Sequence, residues 1–336
     1  GDLIEYSLSY QNLKRRLDKE YSISRTRLRR TDVGIPNDQK TIKANLSLSW
    51  PFSEVTSLRG VISARNDKFI PLSTDRLNLE VPTFNEYWAT VKLAYVYDNT
   101  RDVSLNIRYG LRFKLFAEQY QLVYTDLEQS EISDLTVIGF DVRHYQKIHK
   151  EFIWVNRIAG SKSFGTNPLI YYLGGVDEWW KSNQFDQGTP IDFSQNYGFQ
   201  SLAANMRGFL QNVRNGSSFV VYNSELRLPV FSYLINRPIQ SSFIRNFQFV
   251  GFADIGTAWE GTSPFDEDNP INNETKTVGQ ITVTYENIND PLGAGVGFGV
   301  RTTLLGYFVR ADWGWGIENG DVSKKSLFMF SLSLDI

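Results

Sequence analysis

An arginine stands between a methionine and a glycine–phenylalanine pair in NMRGFLQN, residues 205–212, within a stretch that is otherwise polar and by pattern a loop. A loop tip that needed only solubility would not require that order. A guanidinium makes charge-assisted, bidentate contacts with carboxylates or phosphates, and a following glycine lets the backbone turn and approach a wall closely. Other groups offer weaker chemistry. His144 and His149, the only histidines, flank an expected turn in HYQKIH, and without a carboxylate partner they suit a solvated turn better than a metal site. DEDNP at 266–270 resembles a calcium loop only loosely, since it lacks regular ligand spacing and a closing glutamate. The basic run KRRLDKEYSISRTRLRR at 14–30 carries charge for lipid headgroups or lipopolysaccharide phosphates, but reads better as a pair of strand ends joined by a solvated loop. No GxSxG, HExxH or phosphate-binding glycine loop occurs. The expectation is therefore no enzyme, with no catalytic residue, metal or cofactor.

The elements that must hold such an arginine are strands. Alternation with period two dominates the chain. Ile4, Tyr6, Leu8 and Tyr10 alternate with polar residues, as do Ile42, Ala44, Leu46, Leu48 and Trp50. Tyr87, Ala89, Val91, Leu93, Tyr95 and Tyr97 oppose Glu86, Thr90, Lys92 and Asp98. Towards the end, Ala294, Val296, Phe298 and Val300 interleave with a row of glycines from Gly293 to Gly299, and Tyr307, Val309, Ala311, Trp313 and Trp315 interleave with Arg310, Asp312 and Gly314. Phe328, Phe330, Leu332, Leu334 and Ile336 form the apolar row of the last segment. The pattern predicts strands of about ten residues, joined by turns at WPFSE, DNTRD and LLGY and by two very long loops, 175–216 and 260–291.

Composition agrees. Aromatic residues make up 14% of the 336 positions, cysteine is absent, and the net charge of −2 gives no general attraction to nucleic acid. No apolar run reaches the roughly 18 residues of a membrane-crossing helix, whereas a barrel strand needs only about 9–11. The amino terminus, GDLIEYSLSY, carries no signal peptide, which implies a mature or truncated chain if the protein is exported. A soluble sandwich and a membrane barrel both alternate. Three features favour the barrel: Tyr and Trp near the ends of apolar rows, an apolar final strand, and mid-strand charges of both signs (Arg310 with Asp312, Arg112 with Lys114) that suit a wet lumen. The expected fold class is an all-β transmembrane antiparallel barrel of the outer-membrane type, with about thirteen strands read and about sixteen expected.

Several ordered motifs then become specific: LGG at 173–175, MRGF at 206–209, NSELRLP at 223–229, FADIGTAW at 252–259, GAGVGFGVR at 293–301 and the closing SLFMFSLSLDI at 326–336. In this order and spacing they resemble the BamA-type outer-membrane insertase and bacterial surface antigen superfamily, over roughly the second two thirds of the chain. The resemblance implies that the long loop at 175–216 folds into the barrel and that its arginine, Arg207, meets acids on the inner wall, here Glu225 and Asp254. Gly208 and Phe209 complete that latch. Strand parity agrees independently, since Asn223, Glu225 and Arg227 share one face and Val250, Phe252 and Asp254 share another, each opposite a greasier row. The glycine row at 293–299 leaves a groove in which the loop tip is expected to sit. The resemblance also implies a weak seam at the last strand (Phe328, Phe330, Leu332, Leu334, Ile336).

Some thirty residues separate Gly175 from Met206, more than the family pattern has. This insertion, 176–205, carries Trp179 and Trp180 and suits a lid, a partner surface or a variable loop. The chain ends on Ile336 where the family commonly has an aromatic. Transport-associated repeats are absent from this stretch, so residues 1–336 are expected to form a single barrel domain, the carboxyl-terminal part of a larger protein. The expected function is assembly or translocation of proteins at the bacterial outer membrane. Expected partners are membrane lipid and lipopolysaccharide, unfolded clients, an upstream periplasmic domain and periplasmic or lipoprotein partners, with no nucleic acid. Two other readings stay open: a passive or substrate-specific pore with the loop as plug, and a surface adhesin or structural barrel acting through its long loops.

Overall fold

The computed structural model describes residues 6–13, 17–30, 37–72, 82–126, 133–180, 185–186, 188–191, 200–203, 205–266, 269, 271, 273–278, 281–286 and 290–332. Ile4, Leu334 and Ile336 lie outside the described residues, as do parts of 14–30, 66–85, the 176–205 insertion and the acidic 266–270 stretch.

The fold is all-β. Its first strands are β1 (Tyr6–Asn12), β2 (Asp18–Arg30), β3 (Asn37–Pro51), β4 (Thr56–Pro71) and β5 (Phe84–Asp98). A short β6 (Arg101–Ser104) precedes β7 (Ile107–Thr125), β8 (Asp134–His149) and β9 (Phe152–Gly165). Then β10 (Ile170–Leu173) leads into the long loop, which holds β11 (Gln200–Leu202) and β12 (Arg214–Gly216). Next come β13 (Ser218–Leu228), the one-turn helices α1 (Val230–Leu234) and α2 (Ser242–Arg245), and β14 (Gln248–Trp259). The second long loop contains a hairpin of β15 (Asn273–Val278) and β16 (Ile281–Glu286). The chain continues through β17 (Gly293–Leu304), β18 (Tyr307–Glu318), β19 (Asp321–Val322) and β20 (Leu327–Ser331).

Fifteen of these strands form one large sheet in the order β1-β2-β3-β4-β5-β7-β8-β9-β13-β14-β17-β18-β19, with β20 also on β18 and β6 on β7. Two compact units divide it: Gly1–Val96 with Leu115–Ile138 and Phe164–Asn167, and Tyr97–Lys114 with Gly139–Ser163 and Pro168–Ile336.

In the first unit, β1 to β4 are successive antiparallel hairpins. The WPFSE turn closes where Trp50 opposes Leu58, and Phe52 N–H donates to Thr56 O at 2.9 Å. Residues 66–71 continue β4 to its end at Pro71. The basic run is mostly one strand, β2, rather than two strand ends and a loop: its cross-strand bonds to β3 run from Asp18 to Arg30, and Arg27 pairs with Asp38. Alternating charge does not break a strand whose backbone groups are all paired.

In the second unit the two faces have inverted polarity. On β13 and β14, Tyr222, Leu226, Phe249 and Ile255 are 38–45% exposed, while Asn223, Glu225, Arg227, Gln248 and Asp254 are at most 2% exposed. An exposed apolar row opposite a buried charged row suits lipid outside, and is the reverse of a soluble sandwich. Phe249, Phe298, Trp313 and Phe328 run as an aromatic band across β14, β17, β18 and β20, with neighbouring ring centroids 5.1–6.0 Å apart.

Further expectations are corrected. Strands exceed ten residues: β7 has 19, and β4 and β8 have 16. Apolar alternation marks only the part of a strand that meets lipid, and ladder pairing carries on beyond it. His144 and His149 do not flank a turn; both lie on β8, and the turn falls at Lys150–Glu151. Five residues apart on a strand, they point to opposite faces. His149 Nδ1 lies 2.9 Å from Tyr233 Oη. Neither long loop is without structure: the first contains β11 and β12, which both pair with β10, and the second the β15–β16 hairpin.

Candidate loop-to-wall site

The MRGF segment of the loop and the strands β13, β14, β17 and β18 build the site. β13 and β14 pair in register, with Asn223 opposite Asp254 and Glu225 opposite Phe252, so their period-two rows bring Glu225 and Asp254 to the same buried face. The loop enters through β10, which pairs with β11 in parallel and with β12 antiparallel. A bridge between Gly175 and Met206 closes its neck, with Met206 N–H donating to Gly175 O at 3.1 Å. The thirty-residue insertion therefore leaves and returns at one point, and LGG and MRGF are neighbours in space.

Arg207 is 1% exposed. Its Nε donates to Asp254 Oδ2 at 2.8 Å and its Nη2 to Asp254 Oδ1 at 2.7 Å, a bidentate fork. Its backbone N–H also donates to Asp254 Oδ2, at 3.0 Å. Nη1 donates to Glu225 Oε1. The guanidinium lies 3.9 Å from the Phe252 ring centroid, which adds a cation–π contact. Glu225 is shared: Arg227 donates to its Oε2 through Nε at 2.8 Å and pairs through Nη2 at 2.7 Å. Asn223 Nδ2 bridges Asp254 Oδ1 and Asn205 O, each at 2.9 Å. Two arginines and two carboxylates thus form a neutral, hydrogen-bonded quartet, which is what makes burial of four charges tolerable.

The loop backbone rests on glycines. Gly208 has φ +95°, and a Cβ there would stand 2.7 Å from the carbonyl carbon of Trp315. Across the ladder Gly295 opposes Gly316 and Gly297 opposes Gly314. A Cβ on Gly293 would meet Met206 Cε at 2.6 Å, one on Gly295 would overlap Arg207 O, and one on Gly314 would meet Gly208 N at 2.7 Å. The Phe209 ring lies where a Gly316 side chain would project. Each residue of MRGF has its own bare position on β17 or β18.

The structure brings Arg207, Gly208, Phe209, Glu225 and Asp254 together. It places Phe328 and Phe330 on the exposed side of β20, with Met329 and Ser331 buried. Leu332 follows the end of β20 and is exposed. Sequence reasoning missed Arg227, Asn223 and Phe252 as participants, although all three share a parity row with an acid. It also missed Gly314 and Gly316, for which the alternation WGWG is the signal. Arg214 had none: it lies in a polar stretch, yet is 1% exposed and donates to Pro291 O at 3.1 Å, Asp290 O at 2.6 Å and Glu318 Oε1 at 2.7 Å. Asp266 is held in a turn, accepting from Thr262 N–H at 2.8 Å, Thr262 Oγ1 at 2.6 Å and Ser263 N–H at 2.9 Å.

No protein-family profile matches the chain, and no curated protein does. Solved structures do. BamA from Haemophilus ducreyi lacking POTRA domains 1–3 superposes with TM-score 0.58 at 12% identity, over 97% of this chain and 61% of that one. CdiB from Acinetobacter baumannii superposes with TM-score 0.50 at 16% identity, over 97% of this chain and 49% of that one. The chain spans about three fifths and half of these proteins. Its fold is that of a BamA-type barrel.

Proposed function

We propose that the protein assembles or translocates other proteins at the bacterial outer membrane, as the barrel part of a longer chain. The observation that carries this reading is the Arg207–Asp254–Glu225 constellation seated on the glycines of β17 and β18. A simple pore needs a lined channel. It does not need a loop whose every motif residue has a matching vacancy in the wall, and such a fit makes the loop a folded part of the working machine. The BamA-type fold supports the same reading, with the last strand as the seam at which an incoming strand would pair. Clients would be unfolded or partly folded chains, and further partners an upstream periplasmic domain, periplasmic or lipoprotein subunits, lipid and lipopolysaccharide. The arginine acts by position and charge, and no group transfer is proposed.

Depletion followed by outer-membrane proteomics tests this. An assembly or translocation role lowers many barrel proteins, or one exported class, together. A change confined to small-solute permeability would instead establish the pore.

A further inference from the structure

Trp179 and Trp180 belong to the insertion, not to the latch, and they do something a surface loop would not. β20 pairs with β18 along one side, Phe330 opposite Ala311 and Ser331 opposite Arg310. Trp179 forms an antiparallel bridge with Ser331, and Trp180 N–H donates to Phe330 O at 2.8 Å. In an antiparallel ladder the N–H and C=O of one residue bond to the same neighbour, so the Phe330 carbonyl that receives Trp180 faces away from β18.

The side chains also alternate as strand residues do. Trp179 is 6% exposed and packs with Val176 and Met329 on the buried face. Trp180 is 81% exposed, its ring 5.9 Å from that of Phe330 on the other face. The pair straddles the edge of β20.

We propose that Trp179–Trp180 is a built-in substitute strand that caps the far edge of β20 and must leave before an extended client segment can pair there. This rests on the function proposed above and adds its regulation. The pairing is bounded on one side. Glu178 has φ +51°, a conformation that L side chains rarely adopt, so it interrupts the extended chain just before the bridge. Among the described residues this pairing is one bridge, whereas β18 pairs with β20 over five positions, and the shorter pairing is the more readily exchanged. An uncapped strand edge with outward Phe328 and Phe330 would be a template for any strand, and covering it is how proteins manage such edges. The client segment that fits is extended, with apolar residues to match Phe328 and Phe330 on one face and small or polar residues beside Ser331 on the other.

The test uses the full chain in proteoliposomes with Trp179→Cys and Ser331→Cys, since this sequence has no other cysteine. Directly opposed antiparallel residues are within disulfide range. On oxidation the pair should cross-link, insertion of a urea-unfolded β-barrel client should fall at least about tenfold, and reductant should restore it. Absence of a cross-link, or a cross-link that leaves insertion unchanged, overturns the proposal. Hydrogen exchange of the unmodified protein separates this from the parent reading. If even the reduced protein handles no client, the proposed function fails, and the cap is judged on exchange alone. Trp180 N–H exchanging at least about tenfold faster than the β17–β18 ladder sustains a displaceable cap. Equal protection makes the pair a fixed part of the wall and overturns it.

Discussion

Arg207 ties the loop tip to the wall through one side chain. Its fork satisfies Asp254 on two oxygens while the third nitrogen reaches Glu225, and all three residues are buried. Removing one member of a buried ion pair typically costs about 3–5 kcal/mol, because the partner is left charged and unpaired. Arg207→Ala should therefore destabilise the folded state by about that much in denaturant unfolding from vesicles. Arg207→Lys keeps the charge but not the fork, and should fall between Ala and the wild type. Equal stability for all three would mean that the contact contributes nothing. The partners of Arg207 were named by the family resemblance, and parity agreed by placing Glu225 and Asp254 on the polar rows of NSELRLP and FADIGTAW. What was not legible is how the charges balance. Arg227 shares the row of Glu225, but only the distances show that it takes the second oxygen of that acid.

Between elements, the deciding feature is the absence of side chains. Gly295→Val should leave the β14–β17–β18 ladder intact and expel MRGF, at the roughly 1–3 kcal/mol that overpacking costs. Trypsin reads this directly, since the Arg207–Gly208 bond is buried in the wild type and should be cut only in the variant. Arg214→Ala should loosen the return arm of the loop, which Arg214 ties to Asp290, Pro291 and Glu318. Faster amide exchange at 212–216 with an unchanged latch is the expected result. The 262–266 turn carries a pH signature. Hydrogen bonds from the Thr262 hydroxyl, then from Thr262 N–H and Ser263 N–H, hold the Asp266 carboxyl below its ordinary value. A depressed folded pKa contributes stability that is present above the ordinary carboxylate range and is lost as pH falls through the folded value. The Thr262 and Ser263 amides should accordingly lose protection only in acid. Strand existence and parity were legible because alternation is local. The small sheet of β10, β11 and β12 was not, since it pairs segments some thirty to forty residues apart in the chain. The position of the His149 turn was missed for another reason: β8 runs past its apolar part.

For the whole molecule, the inverted faces choose the surroundings. Exposed Tyr, Leu, Phe and Ile rows opposite buried Asn, Glu, Arg and Asp rows are at home only where lipid meets the first and a polar interior the second. In that setting, the proposed function makes the loop folded onto glycines and the capped strand edge parts of one device for handling other chains. The most direct measurement is the folding rate of a urea-unfolded β-barrel client on liposomes carrying the full chain, compared with empty liposomes and with Arg207→Ala. The wild type should accelerate folding at least about tenfold, and the variant should lose that acceleration. Client folding no faster than on empty liposomes, with only small-solute leakage increased, would contradict the proposed function.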